Sequence, residues 1–407
     1  MHIADIQEQF DNYVVANYSR IPLCIVRGEG SYVWDSEGKK YLDLFPGWGV
    51  AGLGHCHPVV SEAICKQAGK LIHVANHYYN EEQGAFAEIL STRAGGRKAF
   101  FCNSGAEANE AAIKLARLAR QPRFKIITMK NSFHGRTMGA ISATGQPEYQ
   151  AGFTPVVPGF AYAAMNDLAS VAELVDADTC AVMLEPVQGE AGVVPASKEF
   201  LQGLRRLADE KNLLLIFDEV QTAPCRLGEW FGYQYFGVEP DIITTAKAIA
   251  GGMPMAVMLA RPETAAYLKP GTHASTFGGH SLGCAAGVAA FGVMERENIM
   301  ENVKTLGVWL DEKLAPLVSS RIGVKAIRRC GFMVGIELDF PGADLVADCR
   351  NHGLLINCTH QTTLRLLPAL NIGKDDLEAG VDTLRECMNR ALRRTGSVRL
   401  KPRNMGT

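Results

Sequence analysis

The sequence predicts an α/β protein: a large domain with a mainly parallel sheet flanked by helices, and a smaller α+β domain. Two observations predict this fold class. Short apolar runs alternate with helical patterns from Lys98 onward, which is typical of a parallel sheet. After about Met294 the pattern changes to one long helical stretch followed by several short strands. We therefore expect an N-terminal segment (1–50) that is part of the small domain, a large domain (51–294) and a C-terminal small domain (295–407).

The predicted elements are justified in chain order. Residues 30–44 alternate in the manner of a β-hairpin, and a glycine-rich loop follows over 45–58. The clearest helix covers 108–120, where small and apolar residues recur at helical spacing. The predicted strands of the large domain are 99–102, 125–129, 180–185, 213–218 and 242–245. In the small domain we expect a helix over 299–314 and strands over 324–327, 332–338, 354–357 and 364–367.

The composition points to a protein that acts on small molecules. At about 100–200 residues per domain, 407 residues favour two or three domains, and a 47% hydrophobic content excludes a disordered chain. A formal net charge of -2 provides no long-range attraction for nucleic acid or an anionic membrane. No apolar run approaches the roughly 18 residues of a membrane helix, and residues 1–12 show no export signal. The 11 scattered cysteines favour reduced thiols, so we expect a cytoplasmic protein.

Ligands of parallel sheets bind beyond the carboxyl ends of the strands, so the residues there are informative. The first predicted strand, 99–102, ends just before Ser104, Gly105 and the clearest helix. The free N–H groups of a helix start and the Ser104 hydroxyl can bind an anion such as phosphate, and Gly105 allows a close approach. An ordinary N-cap by Ser104 explains the same residues equally well.

Two further strand ends carry ionisable side chains. Strand 213–218 ends in Asp218, and a carboxylate buried there would need a cation or a protonated ring nitrogen as its partner. Strand 242–245 is followed by Lys247 and a glycine-rich turn, where a desolvated amine becomes a usable nucleophile. A helix cap and a solvated lysine are the simpler alternatives. Taken together, an anion site, a carboxylate and a lysine are what pyridoxal phosphate requires.

Eight segments in order make the chain resemble a known family. They are RGEG (27–30), LGHCHP (53–58), NSGAEANE (103–110), FHGR (133–136), EPVQGE (185–190), DEVQ (218–221), AK (246–247) and HASTFGG (273–279). In these the chain resembles the class III (ω-amino) aminotransferases of the fold type I pyridoxal phosphate enzymes, most closely the acetylornithine aminotransferases. The resemblance runs from about residue 18 to 390.

The resemblance implies a role for each matching residue. Lys247 binds the cofactor covalently and moves the proton, and Asp218 bonds the ring nitrogen. The other cofactor-binding residues are Ser104, Gly105 and Ala106 at the phosphate, Phe133 on the ring face, Gln221 at the phenolic oxygen, and Thr276 at the phosphate of a neighbouring subunit's cofactor. The implied assembly is a homodimer with shared active sites.

Two arginines are expected to bind substrate carboxylates. By the resemblance, Arg136 binds the carboxylate of the amino donor and Arg365 the α-carboxylate of 2-oxoglutarate. Bidentate contacts between guanidinium and carboxylate give both strength and orientation. Glu190 is implied to pair with Arg365 while the donor occupies the site, and Ser275 to add a contact with the donor. For either arginine a surface ion pair is the simpler alternative.

The chain departs from the family pattern at two places. Ala106 stands where members usually carry threonine, which removes one hydroxyl and leaves the backbone donors. In 221–228, Ala223, Pro224 and Cys225 interrupt the usual glycine-rich pattern, so we expect this loop to follow its own path.

The predicted reaction moves the δ-amino group of N-acetylornithine to 2-oxoglutarate, in arginine biosynthesis. The alternatives within the family are ornithine, succinylornithine and 4-aminobutyrate as donor. A further alternative is an aminomutase or decarboxylase on the same fold, and one from another class is a cofactor-free scaffold or binding protein. We predict no metal site: in His55-Cys56-His57 adjacent side chains diverge, and no second cluster has zinc-site spacing.

Overall fold

The computed structural model describes residues 3–318 and 323–399, and of 392–399 the backbone alone. The strands are β1 (Ile25–Glu29), β2 (Tyr32–Asp35), β3 (Lys40–Asp43), β4 (Lys98–Cys102), β5 (Lys125–Met129), β6 (Phe160–Ala163), β7 (Thr179–Leu184), β8 (Val187–Gln188), β9 (Val194–Pro195), β10 (Leu214–Asp218), β11 (Ile242–Thr245), β12 (Ala256–Ala260), β13 (Val324–Cys330), β14 (Met333–Leu338), β15 (Leu354–Leu355), β16 (Asn357–Thr359) and β17 (Thr363–Leu366).

The α-helices are α1 (Ile3–Tyr13), α2 (Pro58–Ala68), α3 (Glu81–Arg93), α4 (Gly105–Ala119), α5 (Met138–Ala143), α6 (Pro147–Gln150), α7 (Leu168–Leu174), α8 (Lys198–Lys211), α9 (Gly232–Phe236), α10 (Pro262–Ala265), α11 (Ser281–Arg296), α12 (Ile299–Leu314), α13 (Ala343–Asn351) and α14 (Lys374–Arg399). Short 3-10 helices cover Pro46–Gly49, Lys247–Ala250 and Ala315–Leu317. Among the described residues, none of the helices combines the length and apolar character needed to cross a membrane.

A seven-stranded sheet forms the centre of the large domain, in the order β4-β12-β11-β10-β7-β5-β6. From β11 to β6 neighbouring strands run parallel, whereas β12 is antiparallel to both β4 and β11. The predicted mainly parallel sheet is therefore confirmed. The strands β6 and β12 were not predicted, because a short apolar run such as 255–260 is consistent with more than one kind of element.

Both faces of this sheet are covered. Leu214 and Ile216 of β10 belong to one core cluster with the apolar stripe of α4, while Leu215 and Phe217 belong to another with Phe200 and Leu204 of α8. Burial on both sides explains why these strands have continuous apolar sequences. The helix α4 begins at Gly105, three residues before the predicted start.

The smaller part of the structure consists of two further sheets. β13, β14, β17 and β16 form an antiparallel sheet, and β15 joins β1, β2 and β3. Leu354 pairs with Leu42, so the N-terminal hairpin shares a sheet with the C-terminal part of the chain. The prediction of a single strand over 354–357 was wrong, because the chain changes sheets at Ile356 and forms β15 and β16 instead.

Candidate active site

A cavity of about 480 Å³ lies at the carboxyl ends of the parallel strands. The segments that follow β4, β5, β7, β10 and β11 line it, as expected for a ligand site on a parallel sheet. The predicted site residues among its lining are Ser104, Gly105, Ala106, Phe133, Arg136, Glu190, Asp218, Gln221 and Lys247. The tertiary structure thus brings together nine of the predicted residues from five separate segments.

Lys247 stands two residues beyond the end of β11, at the start of a 3-10 helix. Its φ of 50° lies in the left-handed region, which costs a non-glycine residue roughly 1–3 kcal/mol. Burial lowers the pKa of its ammonium to about 8; Glu190 opposes this shift and Arg365 adds to it. The Lys247 amine forms no hydrogen bond with any described residue. A strained, desolvated and unpaired amine is suited to act as a nucleophile.

Asp218 is the last residue of β10 and is 4% exposed. Its Oδ2 accepts hydrogen bonds from Asn109 Nδ2 at 2.7 Å and pairs with His134 Nδ1 at 2.7 Å. Asn109 is itself held by Thr244, whose hydroxyl donates to Asn109 Oδ1 at 2.7 Å. No described lysine or arginine forms an ion pair with this carboxylate, so its partner is an imidazole.

His134 and Asn109 are functional candidates that the sequence predictions missed. Burial is the largest influence on the pKa of His134 and lowers it, but the bond to Asp218 and the charges of Asp218 and Glu185 outweigh burial, so the pKa is raised. A raised pKa favours the imidazolium, which gives Asp218 a positive neighbour. One signal could have identified Asn109: a polar residue inside the buried stripe of α4 needs an internal partner.

Glu185 is a third residue that the predictions missed, although it belongs to the EPVQGE segment. Its carboxyl group lines the cavity and accepts hydrogen bonds from the backbone N–H groups of Phe133 at 3.0 Å and Gly189 at 3.4 Å. Burial raises the pKa of Glu185 to about 7, while His134 lowers it and Asp218 raises it. Glu185 therefore connects the loops after β5 and β7 through a carboxyl group that titrates near neutral pH.

The start of α4 has the features of both alternatives that the sequence left open, an N-cap and an anion site. Ser104 is the N-cap: its hydroxyl accepts from Glu107 N at 3.3 Å, and Glu107 accepts from Ser104 N at 3.1 Å. The N–H groups of Gly105 and Ala106 begin the helix, where no carbonyl of the same helix can accept them. A Cβ at Gly105 would lie 2.8 Å from Val220, so glycine is needed there. The cap and an anion site can therefore coexist.

Phe133 and Gln221 line the same cavity from opposite loops. The Phe133 ring packs edge-to-face against Tyr149, with centroids 5.9 Å apart. Gln221 Oε1 is buried and has no hydrogen-bond partner among the described residues. This oxygen lies close to Gly189: a Cβ at that position would be 2.0 Å from it. A buried amide oxygen without a partner indicates a ligand contact at this place.

The two predicted carboxylate-binding arginines lie in different environments. Arg365 is 1% exposed and its guanidinium contacts Glu190 at 2.7 Å and Asn357 at 3.0 Å. It lies behind Glu190, which lines the cavity, and does not line the cavity itself. Arg136 is exposed, lines the cavity, and forms no hydrogen bond or ion pair with any described residue.

Ser275 and Thr276 do not line this cavity. They line a second one of about 560 Å³, which also contains Asn103 and Glu107. Ser275 Oγ accepts a hydrogen bond from Asn103 Nδ2 at 3.1 Å. Within a single chain these two residues are therefore separate from the other predicted site residues.

In the loop over 221–228, the unusual residues Pro224 and Cys225 lie in the interior. Cys225 has a φ of 61° and is fully buried, and the preceding Ala223–Pro224 peptide bond is cis. The Arg226 guanidinium donates to the carbonyl oxygens of Phe332 and Pro368. Burial lowers the pKa of Arg226 to about 9. The loop therefore attaches the large domain to the segment after β13 and to that after β17.

In the described part of the chain, one group of side chains could hold a metal ion: Asp348, His352 and Cys387. Arg390 donates to Asp348 at 3.0 Å and to Cys387 at 2.9 Å, so a fixed cation already neutralises these groups. The histidines of the 55–57 segment diverge: His55 pairs with Asp43 at 2.9 Å and His57 with Glu297 at 3.2 Å.

The residues around the main cavity fit pyridoxal phosphate. The free N–H groups of α4 suit a phosphate, and a carboxylate supported by an imidazolium suits a protonated ring nitrogen. The buried Gln221 oxygen has no hydrogen-bond partner in the part of the chain that the structure describes. The Lys247 amine likewise forms no hydrogen bond there. This set of groups matches a molecule that carries a phosphate, a basic ring and an aldehyde.

Comparisons with known proteins agree with this site. The family model described as Aminotransferase class-III matches residues 13–388. The chain is 45% identical to the acetylornithine aminotransferase of Caldanaerobacter subterraneus subsp. tengcongensis, covering 93% of this chain and 97% of that protein. It is 42% identical to the succinylornithine transaminase of Citrobacter koseri, with 94% and 96% covered.

A solved structure is also similar over nearly the whole chain. It is the ornithine aminotransferase of Toxoplasma gondii in the form that shows partial occupancy of PLP at the active site. The TM-score is 0.92 at 30% identity, covering 96% of each chain. These similarities confirm the resemblance and the fold class that the sequence predicted.

Proposed function

This chain belongs to the class-III aminotransferases, which depend on pyridoxal phosphate, and on that premise we propose that it transfers the δ-amino group of N-acetylornithine to 2-oxoglutarate. The products are N-acetylglutamate 5-semialdehyde and glutamate, a step of arginine biosynthesis. A relative named acetylornithine aminotransferase, 45% identical over almost its full length, supports this choice of donor.

One observation carries the aminotransferase chemistry: the amine of Lys247, the carboxylate of Asp218 and the start of α4 meet in one cavity. Bound pyridoxal phosphate supplies an electron sink for the carbon that loses its proton. Ser104, Gly105 and Ala106 would hold its phosphate, and Asp218 its ring nitrogen. Phe133 would cover one face of the ring and Gln221 would contact its oxygen.

In this proposal the protein's own residues divide the work. The Lys247 amine has its pKa lowered to about 8, so about a tenth of it is neutral at pH 7. The neutral amine can take a proton from the donor and return it. His134 keeps Asp218 oriented and compensates its charge. Glu190 and Arg365 form a pair whose opening would free a guanidinium for the second substrate's carboxylate, while Arg136 is free for the first.

A homodimer in the cytoplasm is the proposed working form. Ser275 and Thr276 line a separate cavity, where they could complete the site of a second copy, with Thr276 at its cofactor phosphate. Asn76 donates to the carbonyl oxygens of Ser275 and Gly278, so the segment 71–79 adjoins them. This segment exposes Tyr78 by 68% and Ile72 by 55%, and exposed apolar side chains beside Ser275 are suited to a protein partner. Sedimentation of the purified protein tests the assembly.

The absorption spectrum of the purified protein tests the function directly. With N-acetylornithine alone, a visible band should convert to the near-ultraviolet band of the pyridoxamine form, and 2-oxoglutarate should restore it. If no visible band forms even after pyridoxal phosphate is added, the cofactor assignment is wrong. If the band persists unchanged in Lys247→Ala, Lys247 is not the residue that binds the cofactor covalently. If the band forms and does not change when N-acetylornithine is added, the cofactor assignment is retained and the donor is a different one.

Succinylornithine is the second candidate donor, since a succinylornithine transaminase is 42% identical to this chain. Values of kcat/KM for N-acetylornithine, succinylornithine, ornithine and 4-aminobutyrate decide between the donors. A clear preference for any of the last three would overturn the named substrate. Continued formation of product beyond one equivalent per site without 2-oxoglutarate would instead indicate an aminomutase or decarboxylase.

A further inference from the structure

Tyr149 is a residue of the short helix α6 that no sequence pattern singled out. It lies half-buried, next to Phe133 and Arg136, which both line the main cavity. Its ring stands edge-on to Phe133, with an angle of 86° between the ring planes. The ring thus packs against the residue expected to cover the cofactor.

The guanidinium of Arg136 lies over the ring of Tyr149, 4.0 Å from its centroid. The same guanidinium is 5.5 Å from the Phe133 centroid. Both distances are within the range of about 6 Å in which a cation is attracted to the face of an aromatic ring. No described carboxylate or carbonyl holds Arg136, so the Tyr149 ring is its nearest anchor.

The surroundings of the Tyr149 hydroxyl place it on the substrate side. Burial raises the pKa of Tyr149 most; Glu190 and Glu148 raise it further, while Arg136 and Arg365 lower it. The hydroxyl forms no hydrogen bond with a described residue. The tyrosine therefore lies among the groups assigned to the two substrate carboxylates.

An arginine side chain that is exposed and unpaired can adopt many rotamers, and each must be lost when a carboxylate binds. A ring that holds the guanidinium by its flat face leaves the N–H edge free. That edge is the part that contacts a carboxylate with two hydrogen bonds. Stacking on Tyr149 would thus lower the cost of ordering Arg136 at the moment of binding.

We propose that Tyr149 is a positioning residue for the amino donor: its ring holds Arg136 at the cavity so that the guanidinium edge receives the donor's carboxylate. The ring performs this task and the hydroxyl is not required. The inference rests on the proposed function in one respect, that the donor is an ω-amino acid with a carboxylate for Arg136. It does not depend on which acyl group the donor carries.

The test compares Tyr149→Leu, which removes the ring, with Tyr149→Phe, which keeps it. Tyr267→Leu is the matched control, because this partly exposed tyrosine does not line the cavity. Each protein reacts with N-acetylornithine, ornithine and 4-aminobutyrate, and with N-acetyl-1,4-diaminobutane, which lacks the carboxylate. The conversion of the visible band gives the half-saturating concentration and the limiting rate separately.

We expect Tyr149→Leu to raise the half-saturating concentration of the carboxylate donor by about 3-fold to 10-fold at an unchanged limiting rate. The value for N-acetyl-1,4-diaminobutane should not change, and Tyr149→Phe should recover most of the loss. An equal loss in Tyr149→Phe, or an equal loss with the amine that lacks a carboxylate, would overturn the inference.

The outcome separates the inference from the proposed function. If ornithine or 4-aminobutyrate is the reacting donor, the named substrate fails, and the same comparison still decides the role of Tyr149. If the wild type reacts with none of the carboxylate donors, both proposals fall together.

A second measurement does not depend on activity. An α-dicarbonyl reagent modifies free guanidinium groups, and peptide mass spectrometry reports the rate at Arg136. Loss of the ring in Tyr149→Leu should accelerate the modification of Arg136 by about 2-fold to 5-fold, relative to the exposed Arg206 in the same sample. Equal rates in the wild type and Tyr149→Leu would show that the ring does not hold the guanidinium.

Discussion

The two ends of the central sheet differ in how charged side chains are paired, and strand β11 has an example at each end. Asp241 precedes this strand at its amino end, where Arg205 and Arg261 contact the carboxylate at 2.9 Å and 3.1 Å. Leu215 N donates to the same carboxylate at 2.8 Å. Lys247 follows the strand at its carboxyl end, and its amine has no partner among the described residues.

This difference separates charges that maintain the fold from charges that perform chemistry. A carboxylate with two arginines and a backbone donor stabilises the chain and has little capacity left for a ligand. A partly buried ammonium without a partner costs stability, so its presence at this end indicates a role in binding or catalysis. Substitutions at the amino end should therefore affect folding, and those at the carboxyl end should affect the reaction.

The largest effect is expected for Lys247→Ala. Loss of the amine should slow the half-reaction by at least about 10⁴-fold, because the covalent bond and the proton transfer both depend on it. The melting temperature of the cofactor-free protein should not fall, since a partly desolvated charge without a partner among the described residues is removed. Rapid-mixing absorbance and thermal unfolding measure the two quantities.

Lys125→Ala is the matched control for that experiment. Lys125 begins β5 at the amino end, where it pairs with Asp176 and donates to Leu174 O at 2.6 Å. This variant should lower the melting temperature and leave the reaction rate within about twofold of the wild type. A slowed reaction in Lys125→Ala together with a lowered melting temperature in Lys247→Ala would contradict the difference between the two ends.

Asp218→Asn should have the next largest effect. The neutral amide cannot balance a protonated ring nitrogen, so kcat should fall by about 10²-fold to 10³-fold. The matched variant is Asp241→Asn, which should cost about 2 kcal/mol of unfolding free energy and leave kcat/KM unchanged. Denaturant unfolding and steady-state kinetics give both values. If Asp241→Asn loses activity while it remains as stable as the wild type, the division of roles is wrong.

The capture of pyridoxal phosphate by the cofactor-free protein should depend on pH through Lys247. Its pKa is lowered to about 8, so the neutral amine increases about tenfold per pH unit below 8 and levels off above it. The capture rate should rise by about 50-fold between pH 6 and pH 8. A rate that still rises tenfold between pH 9 and pH 10 would indicate an ordinary solvated lysine.

The smallest effect concerns Glu185 and the stability of the fold. Its folded-state pKa is raised to about 7 from a usual value of 4.5, so the folded protein holds this proton more tightly than the unfolded chain does. The stability from that proton is complete below about pH 4.5 and is lost as the pH rises through 7. Glu185→Gln removes the loss, so its stability relative to the wild type should improve by about 2 to 3 kcal/mol between pH 5 and pH 8. A difference that is constant with pH would refute the assignment.

Several of these residues could be found from the sequence because their signal is local. An apolar strand followed directly by Asp218, or by Lys247 and two glycines, places each residue at the edge where parallel strands present ligands. Ser104 with Glu107 marks the start of α4, although the predicted helix began three residues later. Polar residues at the start of a helix are also typical of a loop, so the sequence pattern alone did not include them in the helix.

The residues that were missed depend on contacts between distant parts of the chain. His134 and Asn109 meet Asp218 only because β5, α4 and β10 are neighbours in the folded sheet. Tyr149 reaches Arg136 through the path of the segment between β5 and β6. In the same way, the antiparallel direction of β12 depends on its pairing with β4 and β11 in the folded sheet.

The sequence by itself determined the alternation of strands and helices, the family, and the ionisable residues at the strand ends. These follow from periodicity and from short ordered segments, which act over a few residues. Only the tertiary structure decided which charges are paired, which side chains support Asp218 and Arg136, and that Ser275 and Thr276 lie apart from the main cavity. Pairing and burial are properties of neighbours in space, and a sequence pattern records neighbours along the chain.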